Sequence, residues 1–74
     1  MESTDIILTD EEIQRRRYLT EKVYNNTLTP EEAEELINIL EKEKKLAEEK
    51  NEILALIGIV FLIGMAMYFL SKKK

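Results

Sequence analysis

The sequence predicts an all-α chain: a short cytosolic helical hairpin continues through a charged helical stalk into one C-terminal transmembrane helix. Three observations predict it. Of the 18 residues from Ile53 to Leu70 of the 74-residue chain, 16 are apolar and none is charged. Thr followed three residues later by Glu occurs at Thr9 and Glu12 and again at Thr29 and Glu32. That spacing is a capping box, in which the Thr hydroxyl and the Glu carboxylate each accept from a backbone N–H at the start of a helix. Between the second of these starts and the apolar run, residues 41–52 are almost all Glu and Lys. The segments that follow are a disordered N-terminus (1–8), a helical hairpin (9–40), a stalk (41–52), a transmembrane helix (53–70) and a basic tail (71–74).

The first helix is expected over about residues 10–24, behind Thr9 and the acids Asp10, Glu11 and Glu12, whose charges suit the positive end of a helix. At 100° per residue Ile13, Leu19, Val23 and Tyr24 share one arc, and Tyr18 stands off it. Asn25-Asn26-Thr27 then supplies a stop and a short loop. The same triplet matches the Asn-x-Thr glycosylation pattern, but its composition reads first as a turn. The second helix starts at Pro30, the position where proline is best tolerated, and meets no Gly or Pro before Gly58. Ala33, Leu36, Ile37 and Leu40 fall on the face turned back toward the first helix, which implies an antiparallel hairpin.

In the stalk, Glu41 and Lys45, Lys44 and Glu48, and Lys45 and Glu49 are opposite charges four apart, each pair worth about a few tenths of a kcal/mol to a solvated helix. Left unbroken from Pro30 to Leu70, the helix would be about 60 Å long. Ile39, Leu46 and Ile53 recur every seven residues, as do Ala33, Leu40, Ala47 and Leu54, with Glu43 and Lys50 at the alternate core position. This is an incomplete heptad seam, which leaves open either a solvated stalk or a coiled-coil dimer.

Eighteen helical residues span about 27 Å, close to the roughly 30 Å of bilayer hydrocarbon. Nothing else in the chain is apolar enough to surround such a helix on all sides, so lipid is its expected environment. Lys50 and Tyr68 lie where the two membrane interfaces should be, and Lys72, Lys73 and Lys74 hold the far end in the head-group layer. Ala55, Gly58, Leu62 and Ala66 share a face, with Gly64 opposite, and small residues let another helix approach closely. The position of the run implies a tail-anchored arrangement with the N-terminus cytoplasmic.

Charge and composition narrow the function. Residues 1–52 hold all 15 acids and eight bases, a balance of −7, against the three lysines of the tail. An acidic region repels nucleic-acid phosphates, so no nucleic-acid partner is expected. Arg15-Arg16-Arg17 points in three directions on a helix, with Asp10, Glu11, Glu12 and Glu21 as nearby partners, and reads as a solvated face. The chain has no Cys and no His, hence no thiol nucleophile and neither the usual general base nor the usual zinc ligand. The glutamates of the second helix lack the loop and Gly of a calcium site. No enzyme activity, cofactor, metal or small-molecule substrate is therefore expected. The expected role is that of a small accessory subunit or docking adaptor of a membrane complex. The lipid bilayer is one partner, and a membrane or cytosolic protein meets the hairpin at Ile13, Leu19, Val23, Leu36, Ile37 and Leu40. The alternative is a homo-oligomer held by the heptad seam and the anchor.

Overall fold

The computed structural model describes residues 8–71. The expectations for the segment before Leu8 and for Lys72, Lys73 and Lys74 lie outside the described residues. Three helices and no strand occur among them: α1 (Asp10–Tyr24), α2 (Pro30–Glu49) and α3 (Ile53–Ser71).

Both capping boxes form. The amide of Glu12 donates to Thr9 Oγ1 and that of Glu32 to Thr29 Oγ1, each at 3.1 Å, while the Thr amides donate back to Glu12 Oε1 and Glu32 Oε1. Leu28, just before the second cap, is buried with Ala33 in one apolar cluster. An apolar residue before the cap packing on one four residues into the helix fixes the direction in which the chain enters it.

The ends of α1 and α2 are built alike. Asn26 has φ 61° and Asn51 has φ 57°. At the end of α1, the amides of Asn26 and Thr27 donate to the carbonyls of Val23 and Lys22 at 3.0 and 2.9 Å. At the end of α2, the amides of Asn51 and Glu52 donate to Glu48 and Ala47 at 3.2 and 3.0 Å. This is a Schellman closure, which takes up the last carbonyls and requires a left-handed residue just past the cap, a conformation Asn tolerates better than most residues with a Cβ.

The second closure decides the continuity between Pro30 and Leu70 that the sequence leaves open. The stalk is helical only through Glu49, and Lys50, Asn51 and Glu52 form a turn that folds α3 back along α2. The longest dimension is 42 Å, well short of the roughly 60 Å of an unbroken helix. α1 also lies antiparallel to α2. Away from their loop the ion pairs run Lys22 to Glu32, Arg15 to Glu35 and Glu12 to Lys42, so that numbers fall on one helix as they rise on the other.

The core consists of Leu19 and Val23 from α1, Leu28 from the loop, Ala33, Leu36, Leu40 and Ala47 from α2, and Ile59, Leu62, Ala66 and Phe69 from α3. The α2 and α3 members follow the alternating three- and four-residue steps that align one side of a helix. They are also mirror-placed about the turn. Leu40 and Leu62 each stand 11 residues from Asn51, Leu36 and Ala66 each 15, and Ala33 and Phe69 each 18. A bend at Asn51 therefore brings these three pairs into register, while Ala47 and Ile59, 4 and 8 residues from it, fall outside the mirror relation.

This arrangement also divides the heptad rows read from the sequence. Ala33, Leu40 and Ala47 are buried within the chain, whereas Ile53 and Leu54, beyond the turn, are 67% and 85% exposed. The rows do not continue through the bend as one seam.

Leu36 has no exposed surface and sits centrally in the core. Leu36→Ala is expected to lower the unfolding free energy of the three-helix form by about 2–5 kcal/mol. Thr29→Ala, which removes one cap, is expected to lower it by about 1 kcal/mol. Chemical denaturation followed by circular dichroism measures both.

Candidate membrane-facing site

One helix, α3, is long and apolar enough to cross a membrane. Its 19 residues reach about 28 Å. The side not used on α2 carries Ile53, Ile57, Val60, Phe61 and Tyr68, all more than half exposed, with Leu54 and Met67 alongside. Exposed apolar strips on small proteins are characteristic of surfaces that meet lipid or another protein. Gly64 lies on this strip and Gly58 at its edge, and a Cβ added at either would meet nothing within 4 Å. Neither glycine is needed for packing inside the chain. At the C-terminal end of α3 the Tyr68 and Phe69 rings meet edge to face at 5.5 Å, and Ser71 Oγ donates to the Tyr68 carbonyl at 2.8 Å.

The structure separates the four residues read as a helix-packing face. Leu62 and Ala66 are buried in the core, while Ala55 and Gly58 are exposed and line a groove at the α2–α3 bend together with Leu46, Ala47 and Phe61. The charged rim of that groove is Arg16, Glu43, Lys50 and Glu52. Lys50 caps the end of α2 and Tyr68 lies on the outer strip.

The six residues assigned to a partner-binding face are also divided. Leu19, Val23, Leu36 and Leu40 are in the core, Ile37 is half-buried against it, and Ile13 is 41% exposed. In this arrangement only Ile13 and the edge of Ile37 reach solvent. Ile39 is buried as well, beside Thr9, Glu12, Arg15 and Lys42.

The polar surface over α1 and α2 is tied by ion pairs. Arg15 grips Glu35 with two N–H donors at 2.7 and 3.1 Å, Arg16 Nε donates to Glu43 Oε1 at 2.9 Å, and Lys42 Nζ donates to Glu12 Oε2 at 2.6 Å. The acidic partners of Arg15 and Arg16 thus come from α2 and not from the neighbouring acids of α1 that the sequence suggested. Spacing along one chain cannot show this, because the partners are 20 and 27 residues away. Tyr18 lies under both Arg15 and Lys22, at 5.2 and 5.3 Å, a cation–π arrangement. Of the pairs foreseen within the stalk, Lys44 and Glu48 stand at 3.9 Å.

These contacts shift ionisation. The hydrogen bond from Lys42, with that from the Thr9 amide, holds the Glu12 carboxyl below its ordinary value. The Thr29 amide, followed by Lys22, does the same for Glu32. Glu35 raises Arg15, and Glu32 raises Lys22. The carboxylate contributions are therefore present above the ordinary carboxyl pKa and disappear as pH falls through the lowered values. Those of Arg15 and Lys22 persist through neutrality and disappear only as pH rises through their raised values.

The α1–α2 pairing is accordingly expected to weaken in acid while neutral and mildly alkaline stability stay level. A double variant Glu12→Gln, Glu32→Gln keeps an amide able to complete each capping box but has no charge to lose. Its unfolding midpoint should change less between neutral pH and the acid range than that of the parent chain, as read by circular dichroism.

No protein-family model, curated protein or solved structure matches this chain.

Proposed function

We propose that the chain is a non-enzymatic, single-pass membrane protein that uses α3 as its anchor and its N-terminal helices as a docking surface, as a small accessory subunit or adaptor of a membrane complex. The observation that carries the reading is α3: 19 residues without a charge, bare along one whole side. Transfer of that strip from water to hydrocarbon is favourable in proportion to its apolar area. The helix also satisfies its own backbone hydrogen bonds, as lipid requires.

Orientation follows the same reading. α1 and α2, which are dense in charge, form the cytoplasmic part in this reading while α3 enters the bilayer. The remaining chemistry suits binding. Ion pairs and helix caps account for the charged contacts of the α1–α2 surface, and the chain supplies neither His nor Cys for catalysis. A partner protein would meet Ile13, Tyr18 and Tyr24, the exposed apolar or aromatic residues of α1.

The competing reading is self-assembly. Within this arrangement the heptad row Ala33, Leu40 and Ala47 of α2 already lies in the core with the chain's own α3, so an oligomer would form through the anchor, where Gly58 and Gly64 leave room for a second helix.

Three measurements test these statements. The full chain should float with phosphatidylcholine vesicles and remain with them after carbonate extraction, and Ile57→Asp combined with Val60→Asp should abolish both; flotation of that variant would overturn the role of α3. The native Asn25-Asn26-Thr27 triplet reports orientation in microsomes. A cytoplasmic N-terminus leaves Asn25 unmodified, whereas a glycan-sized gel shift that is lost in Asn25→Gln would reverse the topology. Crosslinking in native membranes should return a foreign protein in stoichiometric amount, and recovery of self-crosslinked chains alone would support the homo-oligomer instead.

A further inference from the structure

α3 has two competing uses. In the folded chain Ile59, Leu62, Ala66 and Phe69 lie in the core with Ala33, Leu36, Leu40 and Ala47 of α2. A spanning helix needs apolar surroundings on every side, and α2 cannot enter hydrocarbon with it. α2 is charged along its whole length, with Lys44 beside the row that holds α3 and Glu34, Glu41 and Glu48 farther round the helix. Docking on α2 and crossing a bilayer therefore exclude each other.

The fold provides a means of exchange. Only Lys50, Asn51 and Glu52 join the two helices, all three exposed, and the bend is closed by backbone hydrogen bonds around a single left-handed residue. Returning Asn51 to right-handed backbone would join α2 to α3 as one helix. The driving force is also visible: the docked helix hides one side and leaves Ile53, Leu54, Ile57, Val60, Phe61 and Tyr68 in water, whereas lipid covers every side.

We propose that α3 is a self-covered anchor: in water the α2 row Ala33, Leu36, Leu40 and Ala47 holds the Ile59, Leu62, Ala66 and Phe69 side of α3, and a bilayer takes α3 from it by opening the bend at Lys50–Glu52. Opening bares the α2 row as the anchor inserts, so insertion and exposure of Leu36 and Leu40 are one event. This rests on the membrane reading of α3 given above, and the test separates the two.

The chain has no Cys, so single cysteines report cleanly. Ala33→Cys and Ala47→Cys replace residues that are 0% and 4% exposed, and Glu34→Cys supplies an exposed reference. Each full-length variant is labelled with a water-soluble maleimide, first as the monomeric fraction without lipid and then in the fraction floated with phosphatidylcholine vesicles. Without lipid, the cysteines at 33 and 47 should react at least about tenfold more slowly than that at 34; after flotation all three should react alike. Asn51→Ile, which disfavours left-handed backbone, should raise labelling at 33 without lipid. A chain that floats while either cysteine stays protected would overturn the exchange and leave membrane binding intact, because α3 would then lie on the bilayer still docked. Fast labelling at both sites without lipid would overturn the covered state, and failure to float would overturn the membrane reading and the exchange together.

Discussion

The packing of α3 along α2 organises the rest of the molecule. Each helix presents a row at three- and four-residue steps, and three pairs across the rows mirror one another about Asn51, so a single left-handed residue aligns Leu40 with Leu62 and Ala33 with Phe69 in distance from the bend. α1 then adds Leu19 and Val23 to the same cluster from the other side of the α1–α2 loop. Without α3 the core would consist of one short pair of helices, too small a buried surface to hold a domain of this length. An apolar segment of membrane-spanning length thus supplies as many residues of the core cluster as α2 does, in a highly charged small fold.

The polar surface does a different job. Cross-helix pairs between Arg15 and Glu35, Arg16 and Glu43, and Lys42 and Glu12 are exposed or half-exposed, where ion pairs contribute little net stability. Their effect is on register: each pair is satisfied at one alignment of α1 on α2, and a slip of one four-residue turn would leave Glu12, Arg16 and Lys22 opposite uncharged residues of the second helix and its loop. Apolar packing supplies the energy of association, and charge selects which association forms. The two capping boxes are local by contrast, fixing where α1 and α2 begin through residues three apart.

A helix of membrane-spanning length that is also a core element would link location to shape. The same Ile59, Leu62, Ala66 and Phe69 that close the fold in water would face lipid in a bilayer, so the surface the N-terminal helices offer depends on where α3 resides. Under the proposed exchange, Leu36 and Leu40 would become available to a partner only once α3 had entered a bilayer.

Much of this was legible in the sequence, because helix caps and apolar runs are local. Thr9 with Glu12, Thr29 with Glu32, Pro30, the Asn26 stop and the apolar run from Ile53 determined that the chain is helical, where α1 and α2 begin, where α1 ends, and that one segment is of membrane length. The end of α2 was harder to read. Asn51 carries the same signal as Asn26, but charged helix formers surround it, and local propensity there favours continuing the helix as much as stopping it. Only the tertiary structure decided for the bend, because the energy that selects it lies in contacts between rows up to 36 residues apart, from Ala33 to Phe69. For the same reason it alone decided that Arg15 and Arg16 are paired with α2, and that Leu19, Val23, Leu36 and Leu40 face inward. A side chain's neighbours across a fold depend on how the chain returns on itself, and residue spacing along a single helix does not record that return.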